Sequence, residues 1–367
     1  MKIAQVAPLA ESVPPKLYGG TERVVSWLSE ELVRQGHDVT VFASGDSVTS
    51  ARLIAVTEQA LRLNPAVKDT LGYHVMMLEE VRRRAHEFDV IHFHIDLIQA
   101  PFERTLGIPS LTTLHGRLDL PDLAPFYRAF PDLPLVSISD NQRLPMPPVN
   151  WLGTVYHGLP ETLLPANVDP QGGYLAFLGR ISPEKRPDRA IEIAAQTGVP
   201  LKIAAKIDNA DRDYWNEVIA PLVEKHGDVV EFVGEINDQQ KAQFLGNARA
   251  LLFPIDWPEP FGLVMIEAMA CATPVIAFRC GSVPEVIDHG VSGFIVESVA
   301  EAVGAVGRLD ELPREGVRHQ FEKRFSAARM ARDYVALYER LVEENLHRAD
   351  NVVLLHEPER ALTPRTA

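Results

Sequence analysis

The chain has 367 residues, past the ~250–300 at which one hydrophobic core usually splits, so two domains are expected. Hydrophobic residues make up 46% and charged residues 23%, an ordinary soluble composition, while 36 Lys+Arg against 50 Asp+Glu leave a net charge of −14. That balance speaks against a nucleic-acid coat or a polybasic membrane anchor, and two cysteines cannot build a disulfide scaffold and fit a reducing compartment.

The apolar run at 3–10 contains Gln5 and Pro8 and leads into a glycine pair, so it is read as a first buried strand rather than a signal segment. No stretch approaches the ~20 apolar residues needed to cross a bilayer, and a cytoplasmic protein is expected. Strands are predicted at 3–7, 38–43, 90–94, 109–114, 135–139 and 154–156, with helices at 21–35 and 73–87. The segment 160–173, with three prolines and two glycines, is read as a linker. The pattern then restarts, with strands at 174–178, 201–205, 229–233, 250–253, 274–277 and 294–296. Helices lie between them at 188–197, 214–225, 239–247 and 263–271. Apolar runs spaced by helices imply parallel sheets covered on both faces, hence an α/β chain of two doubly wound domains. A long amphipathic helix follows at 326–345, and no structure is assigned to 347–367.

In open α/β sheets ligands bind beyond the carboxyl ends of the strands, so polar residues just after strands carry the functional reading. Tyr18-Gly19-Gly20-Thr21-Glu22 precedes a helix, where two glycines allow close backbone approach and free N–H groups suit an anion; a plain capped turn is the alternative. His92 and His94 share one side of a strand, which makes a metal pair conceivable, but no third ligand accompanies them and cleft histidines are preferred. His115, next to Gly116, ends the following strand. In Gly179-Arg180-Ile-Ser-Pro-Glu184-Lys185-Arg186 three cations follow a strand in an acidic chain, as a diphosphate would require.

The most specific run is Asp256-Trp257-Pro258-Glu259-Pro260-Phe261-Gly262-Leu263-Val264-Met265-Ile266-Glu267-Ala268-Met269. Prolines bracket Glu259, and the helix start at 261–264 offers N–H groups. Glu267 lies in an apolar helical run where burial is costly without a partner, which a hydroxyl-rich ligand would supply.

On these motifs, together with Gly281-Ser282-Val283-Pro284-Glu285-Val286, nearly the whole chain resembles the retaining glycosyltransferases of family 4. The resemblance implies the GT-B fold: an acceptor-side Rossmann-like domain at 1–165, joined by the 326–345 helix, and a nucleotide-sugar domain at 170–325. It implies transfer of a hexosyl group from a nucleoside-diphosphate sugar with configuration kept, and neither a metal nor another cofactor. Arg180 and Lys185 are implied at the diphosphate, Glu267 at the ribose, Glu259 and His115 beside the sugar, and Glu235 and Ile236 near the base. Gly19 and Gly20, with Pro260, Phe261, Gly262, Leu263 and Val264, are implied along the donor, and Tyr18 and His94 on the acceptor side. Ala272 stands where the family usually has glycine, and Ala204-Ala205-Lys206 where a glycine-rich turn is common, leaving the role of Lys206 open. UDP-glucose is the donor expected, with a soluble small-molecule or saccharide acceptor and no nucleic-acid or stable membrane partner. Two alternatives remain at this point: an epimerase or hydrolase acting on the nucleotide-sugar alone, and a non-catalytic binder.

Overall fold

A computed structural model describes residues 1–16, 19–62 and 64–354, with the backbone alone for 348–354. Tyr18 therefore lies outside the described residues. Among these, two parallel sheets form. The first takes β1 (Lys2–Val6), β2 (Asp38–Ser44), β3 (Arg52–Thr57), β4 (Val90–Phe93), β5 (Ser110–Thr113), β6 (Leu135–Ser137) and β7 (Trp151–Thr154) in the order β3-β2-β1-β4-β5-β6-β7. The second takes β8 (Leu175–Arg180), β9 (Leu201–Lys206), β10 (Val230–Gly234), β11 (Ala250–Phe253), β12 (Val275–Phe278) and β13 (Gly293–Val296) in the order β10-β9-β8-β11-β12-β13. Each order reverses once, between β1 and β4 and between β8 and β11, and such switch points open a crevice at the strands' carboxyl ends. The central strands are buried on both faces, as their nearly continuous apolar runs require.

Three expectations need correction. β3 was not anticipated: it sits at the sheet edge, none of its residues is fully buried, and only the short segment 45–51 joins it to its parallel neighbour β2. Without a crossover helix the strand-helix alternation has nothing to register there. The last helix, Ala327–Leu354, also runs past its expected end, so part of the segment left without structure is helical. β7 begins at Trp151 rather than 154.

The Ala327–Leu354 helix packs on the first domain against the Gly20–Arg34 helix and β4. Tyr334 and Tyr338, four residues apart on one face, are fully buried there. The chain crosses back where Leu159 pairs with 325–327: Leu159 N–H donates to Phe325 O at 3.0 Å, and Ala327 N–H to Leu159 O at 2.9 Å. Gly158 permits this crossing, because a Cβ at that position would lie 2.3 Å from Ser326 O.

Ala272 follows the Leu263–Ala270 helix with φ +62°, which explains why glycine suits the position. The left-handed conformation costs a non-glycine residue roughly 1–2 kcal/mol. Ala272→Gly is therefore expected to raise the melting temperature by about 2–4 °C, and an unchanged or lower value in thermal melts would remove the strain argument.

Candidate functional site

A cleft of about 630 Å³ opens between the carboxyl ends of the two sheets. From the first domain Gly19, Gly20 and His115 line it; from the second come Arg180, Lys185, Glu235, Ile236, Glu259, the segment 260–264, and Glu267. Of the residues singled out in the sequence, His94 is misplaced: it is buried behind His115, not on the cleft wall. Arg186 is also diverted. Held in a left-handed conformation, its guanidinium bonds Asp188 and Asp256, each at 2.8 Å. The cationic island thus contributes Arg180 and Lys185 to the cleft.

Arg180 ends β8 and lies among carboxylates, 2.6 Å from Glu184 and 3.9 Å from both Asp208 and Asp211. Lys206, ending the neighbouring β9, also lines the cleft and pairs with Asp208 at 2.8 Å. Lys185 forms an ion pair with Glu259, whose Oε2 also accepts from the Trp257 indole N–H at 3.1 Å. The Glu259 loop is braced by the next strand's turn: Ser282 N–H donates to Glu259 O at 3.0 Å, and Ser282 Oγ–H to Phe261 O at 2.8 Å. Gly262 then opens the Leu263–Ala270 helix in the left-handed conformation, φ +79°. The start of that helix, at Gly262, Leu263 and Val264, lines the cleft, and a helix start carries free N–H groups and the positive end of the dipole.

Glu267 is buried, as the apolar run around it implied, but a protein side chain already partners it. Lys241 Nζ lies 2.7 Å from Glu267 Oε1 and 3.4 Å from Asp238. Burial opposes the Lys241 charge, yet the adjacent Glu267 and Asp238 carboxylates together outweigh it and raise the lysine pKa. Sequence reading missed Lys241, and its nearest signal was the capping box Asn237…Gln240, which starts a helix beside the cleft. Asp238 in turn pairs with Arg23 of the first domain, closing one side of the cleft. A second contact between the domains is made by Glu285, which accepts from the backbone N–H groups of Asp140 and Asn141, both at 2.7 Å, and from Tyr156 O–H at 3.1 Å. Charge-assisted contacts therefore tie the domains together at two places.

His115 belongs to a buried chain of hydrogen bonds. Its Nε2 is 2.8 Å from His94 Nδ1, and His94 Nε2 is 2.7 Å from Gln5 Oε1. Gln5 Nε2–H donates to Tyr338 Oη at 3.1 Å, and His92 sits 2.7 Å from both Tyr338 Oη and Thr113 Oγ1. The four ring nitrogens of His92 and His94 are thus all used within the protein, which accounts for the pair without a metal reading. Among the described residues no three His, Cys, Asp or Glu side chains gather as a metal site. His115 stacks on His157, another cleft residue that sequence reading missed, with ring centres 5.3 Å apart. The Nδ1 atoms of both are buried and lack a protein hydrogen-bond partner.

Burial pushes His115 down to about 3 and His92, His94 and His157 well below the ordinary 6.5. The folded chain keeps these rings neutral, whereas the unfolded chain protonates them near 6.5. Their contribution to stability is complete above that value and is lost as pH falls toward their folded values, by up to ~1.4 kcal/mol per pH unit for each. Glu22, Asp96, Glu103 and Asp211, with Glu103 raised by burial to about 7 and Asp96 to about 6, act in the opposite sense. All four rings are strongly shifted, whereas among these carboxyls only Glu103 and Asp96 are moved far, which predicts a lower melting temperature at pH 5 than at pH 7; a flat or rising profile would contradict it.

Residues 165–328 match the family model for glycosyl transferases group 1, and residues 18–140 match that for glycosyltransferase family 4. A relative, the D-inositol 3-phosphate glycosyltransferase of Acidothermus cellulolyticus, is 26% identical over 82% of this chain and 81% of its own. Among solved structures, sucrose-phosphate synthase from Thermosynechococcus elongatus has a TM-score of 0.77 at 20% identity, covering 94% of this chain and 99% of that one. Anabaena HepE, solved in complex with UDP and glucose, has a TM-score of 0.70 at 18% identity, covering 93% and 100%.

Proposed function

Because the chain belongs to the group 1 glycosyltransferases of family 4 and has the GT-B fold, we propose that it moves a hexosyl group from a nucleoside-diphosphate sugar to an acceptor hydroxyl, with anomeric configuration kept. The observation that carries this reading is the convergence of Arg180, Lys185, Glu259, Glu267, the 261–264 helix start and His115 on one cleft between the domains. Arg180 and Lys185 hold the diphosphate and offset the charge that develops as the anomeric carbon–oxygen bond breaks, the kind of electrostatic stabilisation that is usually the largest catalytic contribution. Glu267 takes the ribose hydroxyls, with Lys241 fixing its carboxylate. Glu235 and Ile236 lie by the base, and Gly19 and Gly20 let the first domain approach the phosphate and acceptor. The acceptor oxygen bonds to the anomeric carbon on the face the leaving group departs from, and its proton passes to the leaving phosphate oxygen. No protein nucleophile is then needed, and the two cations serve in place of a metal.

UDP-glucose is the donor we propose, in keeping with the UDP and glucose held by HepE. A small hydroxyl-rich acceptor is in keeping with the inositol phosphate relative. Among the described residues no helix is long and apolar enough to cross a membrane. The test is a thermal-shift panel of UDP-, GDP-, ADP- and dTDP-sugars, since a ligand at 100 times its Kd stabilises the fold by ~2.7 kcal/mol. No stabilisation by any of them defeats the proposal. Stoichiometric conversion of donor alone to another nucleotide-sugar favours an epimerase instead.

A further inference from the structure

Trp257 sits between three groups whose charges the proposed reaction has to rearrange. Its Nε1–H donates to Glu259 Oε2 at 3.1 Å, the same oxygen that the Lys185 ammonium contacts. The ammonium lies 5.0 Å from the indole ring centre, within cation–π range. From the opposite domain the Arg117 guanidinium lies 5.4 Å from the same ring. Arg117 follows β5, two residues beyond His115, and it is tethered to Asp119 at 2.7 Å. The indole therefore touches the Glu259 carboxylate, the Lys185 cation and the facing domain together.

In this arrangement Lys185 neutralises Glu259. If Lys185 instead binds a diphosphate, the carboxylate loses its ion-pair partner when the sugar arrives beside it. The indole N–H is then the donor left on Oε2. It is a neutral, donor-only group on a ring held by its neighbours, so unlike the ammonium it gains no ion pair by leaving the carboxylate for the diphosphate. We propose that Trp257 is a positioning residue: it holds Glu259 toward the sugar while Lys185 passes from the carboxylate to the diphosphate. Arg117 ties this arrangement to the seating of one domain on the other. The inference rests on the diphosphate reading of Lys185 and goes beyond it by assigning a residue that contacts neither phosphate nor ribose.

Trp257→Phe keeps a ring for both cations and removes the N–H. Losing a hydrogen bond to a charged group corresponds to a fall in kcat of about ten- to hundredfold. The donor KM and the melting temperature are expected to stay near their wild-type values, a split that general loosening of the loop would not produce. The second measurement is a fluorescence titration of the wild-type protein with whichever nucleotide-sugar stabilises it most. Departure of Lys185 from the ring is expected to change the emission, and Trp257→Phe is expected to abolish that change. A Trp257→Phe enzyme with wild-type kcat, or wild-type emission that stays constant while donor binds and turns over, overturns the inference and leaves the proposed function standing. Failure of every nucleotide-sugar to bind the wild-type protein overturns both.

Discussion

Lys185→Ala is expected to lower kcat by about 10²–10³-fold, the scale of removing one preorganised group from a developing anion. The side chain is positioned by a short 3₁₀ turn, Pro183–Lys185, immediately after β8, so its reach into the cleft depends on the strand end and not on a long mobile loop. Its side chain is 20% exposed and that of Glu259 only 12%, so the pair is largely screened from water. Removing the ammonium leaves Glu259 with the Trp257 N–H as its remaining side-chain donor and leaves the diphosphate with Arg180. The substitution therefore removes stabilisation of the leaving group and the neutralisation of the resting carboxylate together. Lys185→Arg keeps the charge but not the compact ammonium, and is expected to recover part of the rate. Steady-state kinetics with the best donor decide the matter. A Lys185→Ala enzyme with the wild-type kcat would take Lys185 out of the leaving-group site.

The parts of this architecture that could be read from sequence are those where local chemistry and tertiary role coincide. Buried strands announce themselves as short apolar runs because both faces need covering, and Arg180 ends one such strand while Glu259 lies in the loop that leaves another. β3 escaped although Leu53-Ile54-Ala55-Val56 is an apolar run, because no helix separates it from β2 and the strand-helix alternation has nothing to mark it. The site was less legible wherever a partner comes from a distant part of the chain. Glu267 could be recognised as needing a partner, but Lys241, 26 residues away on another helix, carries no local sign that it supplies one. His94 looked like a cleft residue from strand alternation alone. Its burial behind His115 depends on Gln5 from β1 and on Tyr338, 333 residues away from Gln5 on the last helix. Period-two reasoning gives the face of a sheet and not the depth of a residue beneath it. Arg186 shows the same limit in the opposite sense, a cation in the right place whose backbone turns it toward Asp188 and Asp256.

Gly281→Ala is the second substitution expected to have a large effect, although residue 281 contributes no functional group. Glycine is required there on two counts. Its φ is +56°, and a Cβ would stand 2.3 Å from Glu259 N, 2.5 Å from Glu259 O and 2.7 Å from Pro258 C. These are backbone atoms, so no side-chain rotation relieves the overlap; the Pro258–Glu259 peptide or the 281–282 turn has to move. Movement of either strains the Ser282 N–H bond to Glu259 O and, through Ser282 Oγ, the carbonyl of Phe261 at the helix start. A displacement of about 1 Å in a positioned catalytic group can cost 10²-fold in rate, and that is the loss expected in kcat/KM. Arg180 and Lys241 lie on other elements, so nucleotide without its sugar is expected to bind Gly281→Ala nearly as well as wild type. The strain itself costs of order 1–3 kcal/mol and is expected to appear as a lower melting temperature. Wild-type turnover would mean that the Glu259 loop yields to a methyl group without consequence, and Glu259 would no longer be a residue whose position matters. A loss confined to the melting temperature would count against Glu259 in the same way, because it would separate the fold around Gly281 from the chemistry beside it.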